Sequence, residues 1–258
     1  MYCSNCNTCG HINKKCPKPT NSIGVIFKHK DRIVLVHRKY THYYIKLLNF
    51  NFALHETNYI RKLIKGLTHY EYRLICSYPY EILWKSITVP FLLISNDNTL
   101  SKTNFSSKRY RYNKLLNGYN MNGEYIKLST IFQQSMHDLY PNWEIPKGKR
   151  MAHETDSETA VREFKEETGM VHNILLDEEK YKEITFRGWD NMMYSQRFYL
   201  YNSPSLVTLF CNSLNYVQSS EINKCGWYTF DEIKKQNLFA GMCEEQLKET
   251  YAMLEEIF

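Results

Sequence analysis

A chain of 258 residues with 43% hydrophobic content is long and apolar enough to bury a core, which excludes an intrinsically disordered protein. The formal net charge of +6 permits a polyanionic partner without requiring one. The longest apolar run, Ile87 to Ile94, contains Pro90 and falls short of the roughly 20 residues of a spanning helix, and no basic-then-apolar leader opens the chain. The expectation is a cytoplasmic protein with no membrane partner.

In chain order, residues 1–20 are dense in Cys, Asn and Lys, lack hydrophobic periodicity and close on Pro17 and Pro19, as expected of a small metal-held appendage and linker. Residues 21–40 hold two β-branched runs, Ile23 to Phe27 and Ile33 to Val36, around a charged break, the pattern of a hairpin. Residues 41–127 read as a mainly helical insertion. A helix over Glu56 to Leu67 is followed by one opened by the capping box Thr68-His69-Tyr70-Glu71, which Pro79 interrupts and Pro90 ends. A third helix spans Phe105 to Leu116, and the insertion has 12 Lys or Arg against five acids, a net +7. Residues 128–258 complete the main domain, with sheet character at Glu183 to Arg187, Ser195 to Tyr201 and Cys225 to Phe230. A terminal helix from about Cys243 puts Leu247, Tyr251 and Leu254 on one face. Strands and helices in this order imply an α/β sandwich.

The segment from Gly148 reads GKRMAHETDSETAVREFKEETGM. Asp156 and Ser157 are good helix N-caps, and Gly169 suits a left-handed C-terminal residue after Thr168. Glu163, Glu166 and Glu167, at i, i+3 and i+4, share one helix face, while Val161, Phe164 and Thr168 point elsewhere. Residues 154–167 carry six acids against two bases, an island of −4 in a basic protein. Spacing alone describes a solvated acidic face as well as a cation site. Carboxylates so crowded are relieved by a hard divalent cation, which activates water and neutralises charge on a pyrophosphate.

The whole segment resembles the Nudix box G-x5-E-x7-R-E-U-x-E-E-x-G-U at every specified position, through Gly148, Glu154, Arg162, Glu163, Phe164, Glu166, Glu167, Gly169 and Met170. The resemblance implies an α/β/α sandwich and hydrolysis of a nucleoside diphosphate linked to another group. It implies Mg²⁺ or Mn²⁺ held by Glu163, Glu166 and Glu167 with help from the Gly148 carbonyl, and Arg162 orienting the glutamates.

The flanks narrow the resemblance. Trp143-Glu144-Ile145-Pro146-Lys147-Gly148-Lys149 is similar to the W-x-x-P-K-G-K run of messenger-RNA decapping enzymes and diphosphoinositol-polyphosphate hydrolases, and it places Lys147 and Lys149 where substrate phosphates would lie. Glu221-Ile222-Asn223-Lys224-Cys225-Gly226-Trp227 resembles the E-I-x-K-x-x-W segment of decapping enzymes, which implies Glu221 as general base or further ligand. In the insertion, Lys108, Arg109, Arg111 and Lys114 alternate with Tyr110 and Tyr112, a mixture suited to single-stranded RNA or to a solvated helix with buried tyrosines. Together these features resemble the decapping enzymes of large DNA viruses of the African swine fever virus type.

At the amino terminus, Cys3-x2-Cys6-x4-His11-x4-Cys16 has the spacing of a CCHC zinc knuckle, whose three thiolates and one imidazole complete a tetrahedral Zn²⁺ site. Ser4 stands where a stacking aromatic is common and Cys9 adds a thiol outside the pattern, so zinc is better supported than RNA binding by this module. The leading expectation is decapping of capped RNA to 7-methyl-GDP and 5′-monophosphate RNA. Hydrolysis of diphosphoinositol polyphosphates or dinucleotides, and a non-catalytic RNA-binding role, are the alternatives. Trp84, Tyr43 and Tyr44 are candidates to stack on the cap base.

Overall fold

The computed structural model describes residues 2–3, 5–6, 8–11, 15–94, 102–134, 143–151, 153–188, 191–211 and 216–258. They fall into two compact units, residues 1–38 with 142–258, and residues 39–141. Among the described residues no helix is long and apolar enough to cross a membrane.

In chain order the chain forms β1 (Tyr2–Cys3), β2 (Thr8–Cys9), β3 (Thr20–His29) and β4 (Arg32–Arg38). The second unit then contributes α1 (His42–Asn49), α2 (Thr57–Lys65), α3 (His69–Ser77), α4 (Tyr80–Ile94), α5 (Lys102–Asn117), the hairpin β5 (Tyr119–Met121) and β6 (Glu124–Ile126), and α6 (Leu128–Gln133). The first unit resumes with β7 (Trp143–Glu144), β8 (Lys147–Gly148), α7 (Asp156–Thr168), β9 (Tyr181–Arg187), β10 (Met193–Asn202), α8 (Tyr216–Glu221), β11 (Ile222–Thr229), α9 (Phe230–Lys235) and α10 (Glu244–Glu255).

The sheet of the first unit runs β11-β4-β3-β10-β9, with β3 and β10 parallel and the other pairs antiparallel. β3 and β4 pair only beside their turn, at Lys28↔Ile33 and His29↔Arg32. Beyond it the arms part and Trp143 to Gly148 fills the gap, β8 against β3 and β7 against β4. Gly24 permits this wedge: a Cβ there would lie 2.1 Å from the Pro146 carbonyl oxygen.

Strand alternation sorts the core into two layers. Ile23, Val25, Phe27 and Val34 face Ala160 and Phe164 of α7, whereas Ile26, Ile33 and Leu35 face Ile233 of α9 and Met253 and Leu254 of α10. Helices on both faces of a mixed sheet make the expected α/β/α sandwich, and α10 buries Leu254 and packs the half-buried Leu247 and Tyr251 against the same core, the face its periodicity predicts.

In the second unit the Thr68–Glu71 capping box forms, and the same Glu71 carboxylate also accepts from Thr41 N (2.5 Å) and Thr41 Oγ1 (2.9 Å). One buried side chain thus satisfies amides at the starts of two helices. Pro79 separates α3 from α4, but Pro90 does not end α4, which continues to Ile94. An interior proline costs on the order of 3 kcal/mol; burial of Tyr80, Leu83 and Trp84 anchors the helix against that loss.

Candidate active site

The acidic helix begins one residue earlier than its capping residues suggest. Thr155, not Asp156 or Ser157, is the N-cap: its hydroxyl accepts from Glu158 N while the Glu158 carboxylate accepts from Thr155 N. Asp156 is engaged instead by Arg150 and by Arg197 (2.7 Å). Gly169 ends the helix at φ 67°, where a Cβ would also stand 2.2 Å from the Phe210 carbonyl oxygen. Phe164 and Thr168 are fully buried against the sheet, which turns the glutamates toward the wedge strands.

Arg162 organises the exposed half of the site. Its Nε and Nη2 donate to the two oxygens of Glu154 at 2.6 and 3.0 Å, and Nη1 donates to Glu163 at 2.8 Å and Glu166 at 3.1 Å. Nη2 also donates to the carbonyl of Lys149 (3.0 Å), fastening the helix to the lead-in. The hydrogen bond from Arg162 holds the Glu154 carboxyl down at about 2. Burial pushes Glu163 the other way, above its usual range, although Arg162 opposes that shift. Gly148 lies directly against Glu163, with only 2.0 Å between an added Cβ and the Glu163 carboxyl carbon.

The buried half is organised by Arg38, at the end of β4. Its guanidinium lies 2.7 Å from Glu144, 3.7 Å from Glu167 and 3.6 Å from Glu221. Burial opposes the charge on Arg38, but the three carboxylates outweigh it and raise its pKa. Glu144 is buried too, yet Lys147 and Arg38 bring it down to about 2. Glu167, 4% exposed, is pushed well above the carboxylate range by burial and then by Glu144, and it accepts a hydrogen bond from Lys147 N (3.0 Å). Glu221, half exposed at the α8–β11 junction, meets the site through Arg38. Gln218, buried on α8, donates to the carbonyls of Glu167 (3.1 Å) and Phe210 (2.6 Å) and so ties α8 to the end of α7.

The structure therefore brings Glu163, Glu166, Glu167, Glu221, Gly148 and Arg162 together. Lys147 pairs with Glu144 rather than opening to solvent, whereas Lys149 is exposed. Arg38 and Gln218 stand outside every motif, and Glu144 appears in the lead-in without an assigned role. An arginine closing a β-branched run carries no spacing signal; only strand pairing shows that it points among three carboxylates. Glu163, Glu166 and Glu167 beside the Gly148 backbone offer hard oxygen donors, a set that suits Mg²⁺ or Mn²⁺.

Among the described residues, Cys3, Cys6, His11 and Cys16 form the group whose ligand atoms all lie within 4.8 Å of one another, compatible with Zn²⁺. Cys3 and Thr8 pair across β1 and β2, and Asn5 Nδ2 donates to Cys16 Sγ (3.2 Å), which brings that thiol down to about 6. Asn5 Oδ1 accepts from Asn21 N (2.7 Å), so the module is hydrogen-bonded to the start of β3.

The expected basic track on α5 is only partly available. Lys108 is buried at 8% exposure, and Arg111 donates to the Phe52 carbonyl (2.6 Å) beneath the surface. Helical geometry puts these two on the packed side beside Tyr112; Arg109, paired with Glu81, and Lys114 remain exposed with Tyr110. Of the proposed cap-stacking aromatics, Tyr44 is fully buried and Trp84 nearly so, and Tyr43 packs its ring onto Gly66.

Comparison with known proteins places residues 119–244 in a match to the NUDIX domain model. No relative among curated proteins matches the chain. Among solved structures, a C. elegans Ap4A hydrolase is 23% identical, covering 44% of this chain and 78% of that one, with a TM-score of 0.28. A binary complex of a C. elegans Ap4A hydrolase gives 21%, 45%, 79% and 0.30, and the Nudix hydrolase RenU from M. smegmatis 18%, 44%, 67% and 0.26. Such TM-scores add no weight to fold or substrate. The domain match over residues 119–244, the complete box and the α/β/α sandwich that carries it agree on a Nudix fold.

Proposed function

We propose that the protein is a metal-dependent pyrophosphohydrolase that removes the cap of messenger RNA, releasing 7-methyl-GDP and leaving a 5′-monophosphate end. The observation that carries the hydrolytic reading is the convergence of Glu163, Glu166, Glu167 and Glu221 around Arg162 and Arg38. Glu163, Glu166, Glu167 and the Gly148 carbonyl would hold Mg²⁺ or Mn²⁺, which would supply Lewis-acid neutralisation of the phosphates. Arg162 Nη1 aims Glu163 and Glu166, Lys149 offers an exposed cation to a phosphate, and Glu221 takes the proton from the attacking water. Arg38 holds Glu221 beside Glu167, and Lys147 stiffens the lead-in through Glu144.

Capped RNA as the substrate is supported by the lead-in and Glu221 segments and by the net +7 of residues 41–127. Lys62, Lys65, Arg73, Lys85, Arg109 and Lys114 of that unit are exposed, and Lys114 Nζ sits 5.7 Å from the Tyr110 ring centre, a cation beside a stacking surface.

The test compares cap-labelled RNA, free cap dinucleotide and a diphosphoinositol phosphate in parallel with Mg²⁺ or Mn²⁺. Release of 7-methyl-GDP from long RNA, lost in Glu166→Gln/Glu167→Gln, is the expected result. Turnover of the small molecules with none of the RNA would reject decapping while keeping the hydrolase; full activity of the double variant would reject both.

A further inference from the structure

Outside the metal-ligand pattern of the amino terminus and outside the glutamate site, two thiols meet. Cys211 Sγ lies 3.1 Å from Cys225 Sγ, and both are free. Disulfide bonding would bring the sulfurs together by only about 1 Å, to about 2.05 Å.

The surroundings hold them there. Phe210, next to Cys211, donates its N–H to the Thr168 carbonyl (3.0 Å), and its own carbonyl accepts from the buried Gln218. Four residues before Cys211, the Val207 carbonyl accepts from Trp227 Nε1 (3.1 Å), two residues beyond Cys225 on β11. Cys225 is fixed in the sheet opposite Val36. The residues leading to Cys211 are thus anchored, and the Val207–Trp227 bond joins its segment to the strand of Cys225. Cys211 is exposed and Cys225 half-buried, so a reagent from solvent reaches Cys211 first.

We propose that Cys211 and Cys225 form a redox-modification site, a dithiol that closes to a disulfide by exchange with a small disulfide such as oxidised glutathione. The Cys211 thiolate, its proton lost to solvent, attacks one sulfur of glutathione disulfide and expels one glutathione thiolate. The Cys225 thiolate then attacks the Cys211 sulfur of the mixed disulfide and expels the second. Two protein thiols are oxidised, one glutathione disulfide is reduced to two glutathiones, and the two protons pass to them. The ring closed in this way spans residues 211–225 and contains Glu221. Any effect on turnover rests on the catalytic reading above; formation of the bond does not.

The experiment uses the full chain, supplied with zinc to protect the knuckle thiols, equilibrated over a series of glutathione redox buffers, then alkylated and digested with trypsin. Cleavage after Arg197, Lys224 and Lys234 separates Cys211, in peptide 198–224, from Cys225, in peptide 225–234. The expected product under oxidising buffers is these two peptides joined, restored to two alkylated peptides by reductant. Cys225→Ser is expected to stop at a glutathione adduct on Cys211, and Cys211→Ser to leave Cys225 alkylated. Recovery of both cysteines alkylated in the most oxidising buffer would overturn the proposal. So would stable glutathione on Cys211 of the unaltered chain, or Cys211 joined to any other cysteine.

Discussion

Replacing Gly148 by Ala separates catalytic geometry from folding. The new Cβ would stand 2.0 Å from the Glu163 carboxyl carbon and 2.1 and 2.2 Å from its oxygens, where ordinary contact begins near 3.4 Å. The carboxylate must therefore retreat by roughly 1.4 Å, the difference between those distances, and it leaves its 2.8 Å hydrogen bond to Arg162 as it goes. It sits at the end of a flexible side chain, so the movement needs no backbone rearrangement, and the loss of stability should fall short of that in a variant where backbone must move. Misplacement on this scale costs a catalytic group about 100-fold, or about 2.7 kcal/mol of barrier. Gly24→Ala is the control: its Cβ would meet the Pro146 backbone oxygen at 2.1 Å, which cannot swing aside. That variant should lose about 1–3 kcal/mol of stability. Steady-state hydrolysis with Mn²⁺ and thermal unfolding of the two proteins together form the assay. Unimpaired turnover in Gly148→Ala, or unfolding as severe as that of Gly24→Ala, would refute the reasoning.

Arg38→Ala leaves Glu144 and Glu167 buried without their shared cation, and chemical denaturation should show a loss of about 3–5 kcal/mol; a loss below about 1 kcal/mol would mean that the ion pairs are solvated. Glu154→Gln removes a carboxylate that Arg162 holds down at about 2. A depressed carboxyl stabilises the fold above its unfolded value near 4.5 and loses that contribution as pH falls toward 2. The stability gap between the parent and Glu154→Gln, about 1–3 kcal/mol for a charged hydrogen bond, should thus be flat from pH 7 to about 5 and close below it. A gap that widens on acidification contradicts the assignment. Removing zinc with a chelator should abolish amide-exchange protection at Cys3 and Thr8, which pair across β1 and β2, while leaving β3 and β10 protected. Unchanged protection at those two amides would exclude a structural role for the metal.

Much of the site is local in the chain, which is why it can be read there. The glutamates, Arg162 and Gly169 belong to one helix and its ends, where periodicity and capping chemistry fix relative positions within a few ångströms. The knuckle spacing is local for the same reason, and the paired runs around Lys28 to Arg32 announce their own hairpin. Long-range relations are absent from such patterns. Arg38 reaches Glu144, Glu167 and Glu221 across more than a hundred residues because Trp143 to Gly148 wedges between the arms of that hairpin, a strand pairing no periodicity encodes. The division of α5 between buried and exposed cations followed the same rule: Lys108 and Arg111 lie with Tyr112 on the face that packs, and alternation of Lys, Arg and Tyr along the chain does not say which face that is. Residue chemistry and short spacing thus set the proposed reaction class and the candidate cation site. The packing of distant segments alone decided which cations balance that site, which remain at the surface, and that Cys211 should come to rest against Cys225.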